Sequence, residues 1–475
     1  MRMLTRSLPA PPARLLAVTA VLLTACRHAG GAAVAARPQT PAACGVVAAP
    51  AMSSRASEPA GDAVAVFDSA WTIIRRTHWD STYNGVNWTA VRDELRPRAA
   101  AARTRGELRA VLADMVSRLR QSHFALIPQE VADATGGSSG RSARSGGSLG
   151  LDVRLLAREM VVTAVDTGGP AWTAGVRTGW VVDAIAGCPV AAKLAVLPSH
   201  EDARATSLDA YRATMQALAG AEGDSLRVQF RDGRDALRPL SLVFGAAPGT
   251  VTRFGNLPPM AAHLSWQRVR QDGRTIGIIR FNIWMPVLAA QFDAAVDSLR
   301  QSDAIVLDVR GNFGGVGGMS TGIAGHFLDT AVAIGTMHQR GGTTHFLANP
   351  RRIDTRQQRV SPFSGPLAIV VDELSVSTTE IFAGGLKAVG RATIFGTQSA
   401  GQALPATPER LANGDILYHA IADFISPNGK PVEGEGVLPD RVTPPDRRSL
   451  LNGRDVALSA ALQWAAQQAP RRPTP

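Results

Sequence analysis

Between residues 274 and 396, short apolar runs and helical periods take turns, and this alternation limits what the chain can fold into more than any other feature. Residues 275–281, 304–309 and 367–371 read as strands, whereas 288–299, 322–328 and 380–389 carry helical spacing. Alternating strands and helices build a layered α/β core, in which the side chains that do chemistry collect at the carboxyl ends of the strands. Asp308, Arg310 and Ser377 fall at such ends. Ser377-Thr378-Thr379-Glu380 marks a strand-to-helix junction. A serine there lies beside first-turn backbone N–H groups that can hold a developing oxyanion while its Oγ attacks a carbonyl, although an ordinary N-cap serine occupies the same position.

The chain's 475 residues suffice for two or three folded units. Its net charge of +11 comes from scattered arginines rather than a basic tract, and aromatic residues make up only 5%. Both observations argue against a nucleic-acid track or a base-stacking platform, so the charge reads as solubility and surface potential. Arg2, Arg6 and Arg14 precede an apolar run over 15–23, short for a spanning helix and followed by Thr24-Ala25-Cys26. Residues 1–26 resemble a bacterial lipoprotein signal in which Cys26 is lipidated after cleavage; a plain secretory signal or an uncleaved anchor is the simpler alternative. Arg27 stands where an aspartate would retain such a protein at the inner membrane, so the resemblance implies the periplasmic side of the outer membrane. Residues 27–62, rich in Ala, Pro, Gly and Ser, read as a flexible tether. Cys44 and Cys188 allow a disulfide in an oxidising compartment without indicating one. No cysteine has a histidine at useful spacing, so neither a metal site nor a thiol enzyme is expected.

In residues 63–135, Phe67, Ala70, Trp71 and Ile74, then Leu95, Leu108, Val111, Leu112, Met115, Val116 and Leu119, recur at helical steps and predict a small helical domain. Ser122-His123 follows its last helix, on a connection from which a side chain can be aimed across a cleft; a surface or capping histidine fits the same place. Beyond a Gly- and Ser-rich stretch over 136–147, residues 145–245 read as short strands among glycine turns, with a helix over 208–218. Ala174-Gly175-Val176-Arg177-Thr178-Gly179-Trp180 resembles a PDZ-domain segment. That implies a unit that binds an extended peptide or a free carboxyl terminus at a sheet edge, with Gly150-Leu151 as a loosely matching carboxylate loop. The stretch 191–205 is longer than a compact PDZ domain needs. Residues 265–445 hold the α/β core, and 446–475 a C-terminal helix and a Pro/Arg-rich tail.

Asp308-Val309-Arg310-Gly311-Asn312-Phe313-Gly314-Gly315 joins a strand end to a glycine loop whose spacing fits neither a dinucleotide fingerprint nor a P-loop. Such a loop can expose backbone N–H groups, which makes Gly314 or Gly315 one donor of an oxyanion hole, with Asp308 and Arg310 supporting the loop as a buried ion pair. A second glycine-punctuated loop spans 396–402. Glu433 and Glu435 flank Gly434 ahead of Gly436-Val437-Leu438-Pro439-Asp440. Either carboxylate could orient a histidine or simply be solvated.

These motifs in this order, with Ser122-His123, Ser377-x-x-Glu380 and the PDZ-like segment, resemble the C-terminal processing (tail-specific) peptidase superfamily, which includes the tricorn protease core. The resemblance implies a multidomain α+β protein with an N-terminal helical domain, a PDZ-like β domain and a ClpP/crotonase-like α/β catalytic core. It implies Ser377 as nucleophile, with the N–H of Thr378 and one from Gly314-Gly315 as the oxyanion hole. Many members use a lysine base in the loop after the nucleophile helix; that position is Gln402 here, and an amide cannot take the serine's proton. The tricorn-like branch uses a histidine preceded by a serine and supported by a glutamate, matched by His123, Ser122 and Glu433, with Glu435 as the alternative. On this reading the chain is a serine endopeptidase that cuts exposed or unfolded polypeptides near their C-termini. It needs no metal or organic cofactor, has no nucleic-acid partner, is held to the membrane by a lipid anchor, and leaves homo-oligomerisation open. A catalytically inactive relative that binds peptides or hydrophobic ligands is the alternative.

Overall fold

The computed structural model describes residues 55–133 and 146–469. The expected signal with Cys26, residues 27–54 of the expected tether, most of the glycine-rich stretch and the final tail lie outside the described residues; residues 55–62, also expected to be tether, instead bond to the backbone over 103–106 and bury Ala60 in the helical unit's core. Three helices come first: α1 (Ala63–Thr77), α2 (Trp88–Ala101) and α3 (Arg105–Ser117). Asp62 and Asn87 cap the first two, and Thr104 with Glu107 closes a capping box on the third. Their inner faces bury Phe67, Ile74, Leu95, Leu108, Leu112 and Met115, each contributing about 1.5–3 kcal/mol of transfer free energy. The same apolar cluster takes in Leu411 and Leu417 from far along the chain, and Arg109 pairs with the buried Asp415 at 2.6 Å. The helical unit is therefore docked on the last third of the protein. After α3 the chain passes Ser122-His123 and enters β1 (Ala125–Ile127).

The middle unit comprises β2 (Leu151–Leu156), β3 (Glu159–Val165), β4 (Val181–Ile185), α4 (Ala203–Ala217), β5 (Ser225–Arg231) and β6 (Leu237–Val243). The strands lie in the order β2-β3-β4-β5-β6, which leaves β2 at an edge, with α4 packed beside it. α4 starts at Ala203, ahead of the apolar period that begins at Leu208, because the Asp202 side chain caps it. The stretch that looked like surplus length thus belongs partly to this helix. Cys188 is disulfide-bonded, a bond the sequence permitted without indicating.

The core sheet holds β7 (Leu264–Gln271), β8 (Arg274–Phe281), β9 (Ala304–Asp308), β10 (Leu367–Val371), β11 (Thr393–Gly396) and the short strand Arg441–Val442, in that spatial order. β7 pairs antiparallel with β8, and the other neighbours are parallel. Side chains alternate between two layers, as the pleat requires. Ile305, Leu307, Ile369 and Val371 face the cluster containing α5 (Ala289–Leu299) and α6 (Thr378–Ala388). Ala304, Val306, Ala368 and Val370 pack on Ala457, Ala461 and Ala465 of α7 (Val456–Gln468).

Two expectations needed correction. The helix expected over 322–328 runs Gly318–Ala324. Gly325 caps the helix where the Asn349 carbonyl packs so close that an added Cβ would lie 2.1 Å from it, and Phe327 and Leu328 are buried from beyond the helix. The ribbon expected over 415–424 is divided between two sheets: β12 (Ala406–Arg410) and β13 (Ile416–Ala420) join β1, whereas Ala422–Ile425 joins a hairpin of Val332–Gln339 and Gly342–Ala348. That hairpin, with its irregular burial pattern, went unread in the sequence. The pairing of Ala125 with Tyr418 in β1 and β13 brings the adjacent His123 onto the core. No helix among the described residues is long and apolar enough to cross a membrane.

Candidate active site

Ser377 occupies a sharp turn between β10 and α6, at φ 59° and ψ −120°, a conformation rare for a residue with a side chain and maintained only where neighbours enforce it. Its N–H donates to Gln402 O at 2.9 Å and to Glu380 Oε2 at 3.0 Å. The wholly buried Glu380 carboxylate also accepts from Ser399 Oγ (2.6 Å), Gly401 N–H (2.7 Å) and Gln402 N–H (3.0 Å). Burial pushes this carboxyl up to about 7 in spite of those donors. Glu380 thereby fastens Ser377 to the loop over 396–402, a task the sequence motif did not disclose.

The glycine loop after β9 takes its shape from buried Asn312. Its Oδ1 accepts from Gly314 N–H at 3.0 Å and from Thr379 Oγ1 at 2.9 Å, and its Nδ2 donates to Phe281 O at 3.0 Å. Trp284 Nε1 donates to the same Thr379 hydroxyl at 2.9 Å. Gly314 has φ 86°, and a Cβ built on it would lie 2.7 Å from Ser377 Cβ, so only glycine lets the loop lie against Ser377. Because Gly314 N–H is engaged by Asn312, the N–H groups of Gly315 and Thr378 are the ones without an acceptor among the described residues. Behind the loop, Asp308 accepts from Arg310 at 2.6 and 2.8 Å and pairs with Arg280, and Arg310 continues to Asp455 ahead of α7 at 2.6 Å. Burial alone would raise the Asp308 carboxyl; the two guanidiniums overcome this and hold it far below the usual range.

The opposite half comes from the helical unit. Ser122 N–H donates to Glu433 Oε1 at 3.0 Å, Ser122 Oγ donates to Glu433 Oε2 at 2.9 Å, and the same Oγ lies 2.7 Å from His123 Nδ1. An ionised carboxylate only accepts, so the Ser122 proton points to Glu433, the Ser122 oxygen accepts from His123 Nδ1–H, and the ring's lone pair is on Nε2. Burial raises the Glu433 carboxyl, opposed by donors from Ser122 and Ala403. The Tyr418 ring stands 5.8 Å from the imidazole. Burial, together with the charge of Arg212, lowers the His123 pKa to about 4. Glu435 is exposed; its carbonyl oxygen accepts from Arg204 Nη1 (3.1 Å) and Gln398 Nε2 (2.7 Å), and its carboxylate does not contact His123.

The halves meet at Gln402-Ala403. Gln402 uses its peptide groups, accepting from Ser377 and donating to Glu380, while Ala403 N–H donates to Glu433 Oε2 at 2.9 Å. No hydrogen bond joins His123 to Ser377 among the described residues. Gly150 and Leu151 stand apart from this cluster at the start of β2, where Gly150 N–H donates to Ser148 Oγ at 3.0 Å. Leu151 lines a cavity of about 700 Å³ between the middle unit and the core, along with Tyr211, Met215, Arg280 and Phe313. No group of three His, Cys, Asp or Glu side chains among the described residues converges as a metal site requires. Asn312, Arg204, Arg212 and Tyr418 were not singled out from sequence. Asn312 at least sits within the glycine motif; the other three carry no local signal.

Residues 275–443 match the model of peptidase family S41, and residues 62–117 match that of the tricorn protease C1 domain. Over 385 residues the chain is 26% identical to the chloroplastic carboxyl-terminal-processing peptidase 2 of Arabidopsis thaliana, covering 80% of this chain and 68% of that protein. It is 23% identical over 401 residues to the carboxyl-terminal-processing protease of Synechocystis sp., covering 84% of each. Among solved structures, the fold matches the photosystem II D1 C-terminal processing protease with a TM-score of 0.54 at 21% identity, over 83% of this chain and 98% of that one. It matches mature CPAF with a TM-score of 0.56 at 14% identity, over 87% and 99%. The chain is a serine-type peptidase. It carries a peptidase family S41 domain preceded by a tricorn C1 domain, and C-terminal processing proteases are its homologues.

Proposed function

We propose that the chain is an endopeptidase in which Ser377 attacks the scissile carbonyl, His123 moves the proton, and the N–H groups of Thr378 and Gly315 hold the oxyanion. The observation that carries this reading is the bond series Glu433–Ser122–His123 Nδ1, which leaves Nε2 as the basic atom of the ring. Ser377 Oγ–H passes its proton to Nε2 as Oγ bonds to the carbonyl carbon. The imidazolium then protonates the leaving amine, and the acyl-enzyme forms as the C–N bond breaks. Water, deprotonated by the same Nε2, attacks the ester and frees Ser377. Ser122 and Glu433 keep the tautomer and face the positive ring when it forms. The absent His123–Ser377 bond accords with free enzymes generally, in which catalytic hydrogen bonds often tighten only on substrate binding.

The middle unit reads as PDZ-like and the core as ClpP/crotonase-like. The open edge of β2, begun by Gly150-Leu151, suits an extended tail added as a further strand, so the substrates are exposed or unfolded polypeptides cut near their C-termini. The names of the processing-protease relatives support that class. The signal-like residues ending at Cys26 support a lipid-anchored enzyme of the periplasm. The test is a fluorophosphonate probe combined with a quenched peptide library. Wild type should be labelled at Ser377 and cleave, and Ser377→Ala should do neither, with turnover reduced about 10⁴-fold or more. A folded wild type that neither reacts with the probe nor cuts any peptide would overturn the proposal.

A further inference from the structure

The connection from α3 to β1, residues 118–124, runs against backbone preference: Arg120 stands at φ 52° and His123 at φ 61°. Residues with a side chain rarely enter this left-handed region, and they stay there only where neighbours enforce it. Part of the enforcement comes from Glu433 through Ser122. A second set of contacts comes from the turn over 78–85, between α1 and α2 of the helical unit. Asn84 Nδ2 donates to Leu119 O at 2.9 Å, His78 Nε2 lies 2.9 Å from Gln121 Oε1, and the His78 ring stacks on Phe124 at 5.8 Å between centroids. One turn thus holds the connection on both sides of Ser122-His123. Arg340, at the tip of the core hairpin, fixes the turn itself by donating to His78 O at 2.6 Å and to Tyr83 Oη at 3.2 Å.

His78 is fully buried, with the Trp79 ring stacked 4.3 Å from its own. Any flat apolar ring would fill that space, so packing does not explain an imidazole there, and a buried polar ring is costly unless it is bonded. Its Nδ1 rests on the Asp80 peptide, 2.9 Å from the oxygen and 3.2 Å from the nitrogen. An amide oxygen only accepts, so Nε2 carries a proton toward Gln121. We propose that His78 is a positioning residue for the reaction: its Nε2–H holds Gln121, the neighbour of Ser122, and thereby sets where the connection presents the His123 ring. The inference rests on His123 acting as the base. His78 touches no reacting atom and works through Gln121.

The experiment separates the bond from the packing. His78→Phe keeps a ring between Trp79 and Phe124 and removes the donor; Gln121→Met keeps the side-chain length and removes the acceptor. Each should lower kcat by about 10–10²-fold with KM within about twofold, as when a base is displaced and the substrate site is intact. A ring held less firmly also meets more water, so the acidic midpoint of kcat/KM should climb from about 4 toward the ordinary imidazole value of about 6.5. Glu433, Tyr418 and Arg212, the ionisable groups that bear on the ring, are unchanged in these variants. His78→Gln, which can offer an amide N–H to Gln121, should recover most of the rate and the wild-type midpoint. Because both side chains act through one bond, the double variant should lose no more than the weaker single variant. Circular dichroism restricts the comparison to folded protein, and half-buried Gln121 carries the test should His78→Phe not fold. Wild-type kcat in the folded variants, losses that multiply in the double variant, or a loss with an unmoved midpoint that His78→Gln does not recover overturns the assignment and leaves the peptidase intact. A fully active His123→Ala, or a wild type that neither labels nor cleaves, sinks the parent reading instead.

Discussion

Ser377 and His123 reach the two sides of the Gln402-Ala403 junction by contrasting routes. The proposed nucleophile stands where β10 runs into α6, and the groups around it, Glu380, Asn312, Thr379 and the backbone over 399–402, form a dense buried web. The proposed base hangs from a separate helical unit and is positioned by one strand pairing, one ring contact and Ser122, whose carboxylate partner lies 311 positions further on. The comparison teaches that a position enforced many times over tolerates the loss of a single bond, whereas one enforced by a thin chain of bonds does not.

The largest break should come from Glu433→Gln. An amide nitrogen in place of either carboxylate oxygen would face a backbone N–H, that of Ser122 at Oε1 or that of Ala403 at Oε2, so the bonds that hold Ser122 and through it the His123 ring would be broken on one side. A loss of about 10²–10⁴-fold in kcat with little change in KM is expected; a rate near wild type would show that the base side is as redundantly enforced as the nucleophile side. Thr379→Val removes one hydroxyl from the buried web and strands Trp284 Nε1. Denaturant titration should register about 1–3 kcal/mol of lost stability, while peptide turnover stays within about tenfold. A collapse of turnover in the folded variant would erase the contrast.

The acidic limb of the pH profile sharpens it further. His123 works as a base only when neutral, which holds above its pKa of about 4, so kcat/KM should persist through mildly acidic pH and fall near 4 rather than near the ordinary imidazole value of about 6.5. A midpoint at the ordinary value would mean that solvent reaches the ring freely. The smallest effect belongs to Glu435→Gln. Its backbone carbonyl makes the contacts, so turnover should change by less than about twofold, as is usual for an exposed charge.

The core was legible because its strands are buried on both faces and so appear as unbroken apolar runs, and Asp308-x-Arg310 announced the ion pair that braces the glycine loop. Ser122-His123 and Ser377 were readable as residue types at element junctions. The choice between Glu433 and Glu435 was not, because Gly434 and Gly436 both have positive φ and the turn between them decides which carboxylate faces inward. Which glycine offers a free N–H depends in the same way on where the Asn312 amide points. Arg212 and Tyr418 have no local signature at all. What each can touch depends on which unit packs over the cleft and on the strand register that sets Tyr418 opposite Ala125.

Gln402 and Ala403 sit back to back between two carboxylates: Gln402 N–H donates to Glu380 and Ala403 N–H donates to Glu433. Ser377 and the Ser122–His123 pair therefore lean on adjoining peptides. Damage on the Glu433 side leaves the serine held, whereas a shift of this dipeptide reaches both sides at once.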